Sequence, residues 1–398
     1  MTSLAAFLEA AAAVLLAPTL VGTLYLAVLT LAGSLPARRR STVALPGRLA
    51  IVVPAHNEAA GIRRSVDNLL AIARTDGNAE VVVVADNCSD DTAAIARAAG
   101  ARVLERHDAT RRGKGYALDH AFSALAGEDH VAYIVIDADS IASTGLLAGV
   151  RGHFGDGALA LQARYTVLNG DAAPRTRLAE IALAAFNVLR PRGRDRLGLS
   201  AGILGNGFAL RREVLGRIPY TATSVVEDLE YHLRLVAADI RVTFADDCEV
   251  RGEMPTGEQG SRAQRARWEG GRLRMLAEHG PALAGAVLRG RWRFLEPLAD
   301  LLLPPLAYHA MLLLAALALL APLASPLASP LAIVAGASLG IVVLHTLVAM
   351  RVAGLPWSRL WSLARVPLYL LWKLRMLATT LAGAARGSAW IRTDRSGS

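Results

Sequence analysis

Two aspartates one residue apart, Asp137 and Asp139, close the run Val-Ala-Tyr-Ile-Val-Ile-Asp-Ala-Asp-Ser at residues 131–140. The apolar, β-branched residues before them read as a buried strand, too short for a helix. Side chains along an extended backbone alternate with period two, so both carboxylates would share one side as the chain leaves the sheet. Hard oxygen ligands at the carboxyl edge of a parallel sheet suit Mg²⁺ or Mn²⁺ carrying a phosphate ester. A plainer reading is that both aspartates cap a helix starting near Ser143, and Asp-x-Asp alone does not decide between the two.

The elements that must position this pair begin near residue 47. Strands are expected at 49–53, 81–85, 102–104 and 132–136, with helices at 59–72, 93–99 and 116–125 between them. Asp90, Asp91 and Thr92 supply cap residues for the second helix. This rhythm predicts an α/β fold with a doubly wound, mostly parallel sheet. Farther on the pattern is mixed: a strand at 158–164, a helix at 177–189 and a Gly-rich loop at 198–207. A helix at 226–237 and strands at 242–244 and 249–251 complete the domain.

Composition sets this domain between apolar ends. Of 398 residues, 53% are hydrophobic and 19% charged, too apolar for an ordinary soluble enzyme. Residues 10–35 are long enough for a bilayer-spanning helix, and Glu9 before them argues against a cleaved leader. The Arg38-Arg39-Arg40 run after them places the following domain in the cytoplasm, at a cell inner (plasma) membrane. Two more spans are expected at 298–323 and 331–350, joined by an uncharged external loop at 324–330. Residues 357–381, interrupted by Arg359, Arg365, Lys373 and Arg375, read as an interfacial helix in preference to a fourth span. Asp300 and His309 lie within the 298–323 segment, where polar groups pair or line a cavity unless they sit at headgroup level. The net charge of +9 lies beside apolar segments, which fits anionic lipid and not nucleic acid. Cys88 and Cys248 lack ligand spacing, so neither a disulfide framework nor a zinc site is expected.

Four signals follow one another in order: Ile51-Val52-Val53-Pro54-Ala55-His56-Asn57-Glu58, then Val84-Ala85-Asp86-Asn87-Cys88-Ser89-Asp90-Asp91-Thr92, then Asp137-Ala138-Asp139. The fourth is Val226-Glu227-Asp228 with Gln264-Arg265-Ala266-Arg267-Trp268. Together they resemble the membrane-bound family 2 glycosyltransferases, relatives of cellulose, hyaluronan and poly-N-acetylglucosamine synthases. The resemblance covers roughly residues 47–271. It implies a GT-A, Rossmann-like cytoplasmic domain over 47–257 behind an anchor at 1–46. Interfacial helices at 258–297, two spans at 298–353 and a final helix and tail at 354–398 would follow.

Carried over residue by residue, the resemblance makes Asn57, Glu58 and Asp86 contacts to the nucleoside. A carboxylate can accept from base N–H or ribose hydroxyls, although Asp86 also reads as a turn residue. Lys114, in Arg112-Gly113-Lys114-Gly115, would lie near the nucleotide; its alternative is a solvated lysine at a helix start. Asp137 and Asp139 would hold Mg²⁺ or Mn²⁺ on the diphosphate. Asp228 matches the general base, with Glu227 beside it and Val226 where relatives often have threonine. Asp228 and Glu230 also fit a helix-start acidic pair without catalysis. Gln264 and Arg267 would bind donor, arginine clamping diphosphate oxygens, and Trp268 offers a flat apolar face to a sugar ring. Gly205 and Asn206 resemble the acceptor-side loop.

The implied activity is inverting, metal-dependent transfer from a UDP-sugar to a membrane-associated polysaccharide or glycan. The first alternative is single addition to a lipid or lipid-linked acceptor, and the second a membrane-anchored nucleotide-sugar binder without turnover. Three spans are few for an export channel, so either a homo-oligomer or export partner would complete one, or there is no pore. No extension for binding a cyclic dinucleotide is evident.

Overall fold

The structure, a computed structural model, describes residues 2–36, 43–222, 224–323 and 329–386, with side chains to residue 378. The Arg38–Arg40 run and most of the loop expected at 324–330 lie outside the described residues. A long helix α1 (Thr2–Ser34) leads into β1 (Arg48–Ala55), α2 (Ile62–Asp76), β2 (Ala79–Asp86), α3 (Thr92–Ala99), β3 (Arg102–Arg106), α4 (Lys114–Leu125) and β4 (His130–Val135). Then come β5 (Ser140–Ala142), α5 (Leu146–Gly155), β6 (Ala160–Val167) and α6 (Pro174–Leu183), which runs through a π-turn into α7 (Arg190–Arg196). The domain ends with β7 (Phe208–Arg211), α8 (Arg212–Arg217), α9 (Glu227–Ala237) and β8 (Val242–Gly252).

The eight strands of the described residues form one sheet in the order β3-β2-β1-β4-β7-β6-β8-β5. From β3 to β4 the pairing is parallel, as the βα rhythm requires. Beyond β4 the sheet is mixed, with antiparallel β4–β7, β6–β7 and β5–β8 pairs beside parallel β6–β8. The two strands expected at 242–244 and 249–251 are one strand, β8, whose register slips opposite Ala163 and Arg164. Alternation divides the core between two faces. Leu49, Ile51 and Val53 pack beneath α2, while Ala50 and Val52 pack beneath α4. Both layers are buried, which fits strands that read as continuous apolar runs.

After β8 the chain is helical: α10 (Glu258–Leu288), α11 (Leu295–Leu302), α12 (Leu306–Leu320), α13 (Pro330–Val352) and, after a 3-10 stretch at Trp357–Arg365, α14 (Val366–Arg386). Among the described residues, two helices, Leu4–Ser34 within α1 and Pro330–Val352, are long and apolar enough to cross a membrane. The span expected at 298–323 is not one helix. Trp292–Leu302 and Leu306–Leu320 meet at 70°. Pro304 and Pro305 lie between them, and each removes a donor and fixes φ. At ~1.5 Å per residue, α12 alone is shorter than a ~30 Å hydrocarbon core. The helix α14 is two-faced: Leu368, Leu371 and Leu374 are exposed, while Lys373 and Met376 are buried.

Polar groups tie these helices to one another and to the domain. Thr23 bonds His309 at 3.0 Å and Thr30 bonds His345 at 2.7 Å. Arg194 of α7 ion-pairs with Asp300 and with Glu296 (2.6 Å), and Arg272 of α10 reaches Asp300 at 2.9 Å. Asp300 and His309 are therefore both paired. Asp300→Ala would leave buried Arg190 and Arg194, and partly buried Arg272, short of counter-charge. Stranding a buried ion partner costs about 3–5 kcal/mol, so the variant is expected to melt well below the parent in a detergent thermal-shift assay.

Candidate active site

The parallel half of the sheet brings the ends of β1, β2 and β4 to one edge, beside the point where strand order reverses. At that edge the chain does not continue extended after β4, as the period-two argument assumed. It turns, with the Ser140 N–H donating to the Asp137 carbonyl at 3.0 Å, then pairs as β5 with β8. Asp137 is thereby left partly exposed and Asp139 buried, with the Ser140 hydroxyl 3.1 Å from Asp139 Oδ1. Neither caps the next helix: α5 begins at Leu146 behind Gly145, without a side-chain cap.

Asn206 holds this turn from below. Its Oδ1 accepts from the Asp137 N–H (3.1 Å) and its Nδ2 donates to Ser140 Oγ (2.8 Å). The side chain is only 1% exposed, so the structure puts the expected acceptor-side amide underneath the aspartates. Gly205, next to it, has φ +78°, and a Cβ there would lie 3.0 Å from Asp228 Oδ2. Both the left-handed backbone and the close carboxylate require glycine.

Lys114 joins the motifs. Its ammonium donates to Asp137 and to the Gly205 carbonyl, which sets aside the solvated-lysine alternative. Burial alone would lower its pKa. Asp137 first, then Glu227 and Asp228, outweigh burial and hold it above the usual lysine value. Glu227 and Asp228 begin α9, partly buried, and burial raises both carboxyls. For Glu227 the neighbouring Asp228 carboxylate adds to the effect, pushing it up to about 7. The helix-start role falls partly to Glu230, which accepts from the Ser224 N–H at 3.1 Å. The loop before α9 crosses α4 closely, and a Cβ at Gly115 would lie 2.0 Å from the Ala222 carbonyl oxygen. Gly115→Ala is expected to cost about 1–3 kcal/mol, as overpacking does, and to move Lys114 off Asp137. Thermal shift and a fall in turnover together check this.

The α10 residues approach from the other side. Val226 packs against this helix, a Cβ at Gly271 meeting Val226 Cγ1 at 2.5 Å. Valine where relatives often have threonine is thus a packing residue in a small cluster with Leu233 and Met275. Gln264 is buried and Arg267 partly so. Trp268 packs with Tyr165 on Val167, Leu183 and Met254, and the Arg265 guanidinium lies 5.8 Å from its ring. Tyr165 links the two sides. Its phenol is raised by burial first, then by Asp137, against the lowering effects of Asn206 and Arg267. Sequence reasoning missed it, although it falls one residue past the expected strand at 158–164.

A second group lies at the ends of β1 and β2. Asn57 has φ +54°, and its Oδ1 accepts from the Ser89 N–H at 2.8 Å. The Glu58 N–H donates to Thr92 Oγ1 at 2.8 Å. Asp86 is buried, its Oδ1 accepting from Arg106 (2.6 Å) and Asn87 (3.0 Å). The turn role falls to Asp90, which accepts from the Thr92 N–H at 3.1 Å. Arg106 was also missed. It bonds the Arg111 carbonyl at 2.8 Å and so orders the segment leading to Lys114.

The site offers two hard carboxylates at Asp137 and Asp139, the donor type that Mg²⁺ or Mn²⁺ prefers. A cation, the Lys114 ammonium, already stands against Asp137, so the pocket accommodates positive charge there. The residues fit a divalent ion completed by ligand oxygens. Among the described residues, three-membered clusters that converge on a point lie elsewhere, at His153, Asp247 and Cys248 and at Glu80, Glu128 and His130.

The model of the glycosyltransferase-like family 2 matches residues 46–271, more than half of the chain. The chain belongs to that family. Among curated proteins, a probable glycosyltransferase of Bacillus subtilis (strain 168), YdaM, is 25% identical over 265 residues. That alignment takes in 63% of this chain and 62% of the relative, so the chain spans under two thirds of the relative's length. Among solved structures, a mannosyltransferase of Pyrobaculum calidifontis in complex with GDP-mannose and Mn²⁺ superposes with a TM-score of 0.56 at 20% identity. It covers 92% of this chain and 99% of its own. That likeness shows a shared fold, the GT-A type, which agrees with the family match.

Proposed function

We propose that this family 2 enzyme transfers a sugar, with inversion, from a nucleotide-diphosphosugar to an acceptor at the cytoplasmic membrane face. The observation that carries the reading is the convergence of Asp137, Gly205, Glu227 and Asp228 around Lys114. Asp137 and Asp139 would hold Mg²⁺ or Mn²⁺. The ion, when bound, acts as a Lewis acid toward the diphosphate and steadies its negative charge. Asp228 takes the proton from the acceptor hydroxyl as that oxygen attacks the anomeric carbon. Lys114 balances the carboxylates before donor arrives, and Arg267 clamps diphosphate oxygens. Asn57, Glu58 and Asp86 face the nucleoside, and Trp268 faces the sugar or acceptor. A single displacement turns an α-linked donor into a β-linkage.

The acceptor is a membrane-associated polysaccharide, as in the cellulose, hyaluronan and poly-N-acetylglucosamine synthases. The Gln264-to-Trp268 motif favours polymer extension, with a second copy or an export partner completing any channel. The apolar helices α1 and α13 would anchor the chain in the plasma membrane, and lipid would surround them. Purified protein in detergent, screened with UDP-sugars and GDP-mannose in Mg²⁺ or Mn²⁺, should release nucleoside diphosphate with at least one donor. Silence across the screen would sink the reading. A product carrying one added sugar would replace polymer extension with single addition to a lipid-linked acceptor.

A further inference from the structure

The helix α10, which carries Gln264, Arg267 and Trp268, is held between two neighbours. On one side Gly271 abuts Val226, the residue before Glu227 and Asp228. On another side α14 lies along it. Lys373 of α14 ion-pairs with Glu269, the residue after Trp268, and the two are 1% and 7% exposed. The Lys373 ammonium also lies 5.0 Å from the Tyr308 ring of α12. One residue earlier, Trp372 Nε1 donates to Glu258 at the start of α10 (3.1 Å), with the Arg175 guanidinium 5.3 Å from its ring. Upstream, Arg359 ties the same segment to Asp171 and Glu180.

A buried ion pair adds little net stability, because desolvation cancels most of the attraction; an apolar pair would hold these helices as well. What a buried pair can supply is a single register. Gly260, Gly270 and Gly271 are buried positions of α10 that bring no side chain to resist sliding or rotation, two of them within three residues of Trp268, so a register contact beside Trp268 has a purpose. We propose that Glu269 and Lys373 are positioning residues: their pair seats α14 on α10 and thereby fixes Arg267 and Trp268 over the donor site. The inference deepens, and rests on, the sugar-transfer reading.

The test uses the full chain in detergent, with the donor found by the screen above. Glu269→Gln and Lys373→Met are each expected to raise the donor KM by about tenfold or more, since small misplacements of binding groups carry such penalties. The exchanged double variant, Glu269→Lys with Lys373→Glu, restores the pair and should return donor KM to within about threefold of the parent. Single variants with donor KM within about twofold of the parent, or an exchanged pair no better than the worse single, overturn the proposal. Should the singles not fold, Trp372→Phe loosens the same helix without stranding a buried charge. It is expected to raise donor KM about threefold, and an unchanged value overturns the proposal equally. A parent chain that releases no nucleoside diphosphate would instead defeat sugar transfer itself, so the two failures are distinguishable.

Discussion

Asp228→Asn is expected to lower the transfer rate by about 10³-fold while donor affinity stays within about threefold of the parent. The amide matches the carboxylate in size and can still accept from the Leu229 N–H, a 2.8 Å bond in the parent, so α9 should start unchanged. On the proposed mechanism, what is lost is the proton acceptor, and with it the step that makes the acceptor oxygen a nucleophile. The surroundings of Asp228 also set a pH dependence. Burial raises its pKa, and it titrates together with Glu227, itself pushed up to about 7 by burial and by Asp228. A base with a raised pKa loses its negative charge earlier as pH falls. The acid limb of kcat should therefore lie above the pH near 4 at which an exposed carboxylate titrates. A rate profile from pH 5 to 9 checks this, and a flat acid side would remove Asp228 as base.

Asp137→Ala should reduce nucleoside diphosphate release by about 10²-fold or more and abolish its dependence on added Mn²⁺ or Mg²⁺. Asp137 is the carboxylate that the turn leaves partly exposed, and the one the Lys114 ammonium touches. On the proposed mechanism its loss removes a hard ligand and frees Lys114 to move toward the diphosphate, so some metal-independent donor binding should survive. In the parent, chelation by EDTA should stop release, and either ion should restore it. Titrating Mn²⁺ against release in both proteins checks the assignment; equal metal response would sink it.

The first half of the domain was legible because its signals are local. Runs such as Leu49–Val53 are β-branched or apolar on both faces, as buried parallel strands are. Each ends in polar residues that mark where the chain leaves the sheet. The second half was harder to read. Strands β5 and β7 are three and four residues long, and β7 is held by pairing with β4 and β6. Short strands specified by tertiary contacts leave little periodicity to detect. The single strand β8 read as two because its register slip falls on the polar residues Asp246 and Asp247.

The site shows the same division. Asp137, Asp228 and Arg267 stood out by motif, yet which groups face the cleft was decided by a turn that no spacing rule anticipates. Asn206 matched a loop motif, but its place beneath Asp137 depends on β7 returning beside β4. Tyr165 and Arg106 carry no motif, and only the folded chain brings them to Asp137 and Asp86. The broken helix at Pro304 and Pro305 was masked by hydropathy, which counts apolar residues and is blind to a 70° bend.

The knot of charge around Arg194 has a practical reach. It gathers Tyr25 from the amino-terminal helix, Glu296 and Asp300 from α11, and, through Asp300, Arg272 from α10. No cut that separates the catalytic domain from the apolar helices spares this cluster. A version ended before α11 would carry orphaned guanidinium groups on its freshly exposed underside and lack the acids that steady them, and one begun after α1 would lose Tyr25. Efforts to obtain the working protein should accordingly keep both ends of the polypeptide and a detergent or bilayer around them.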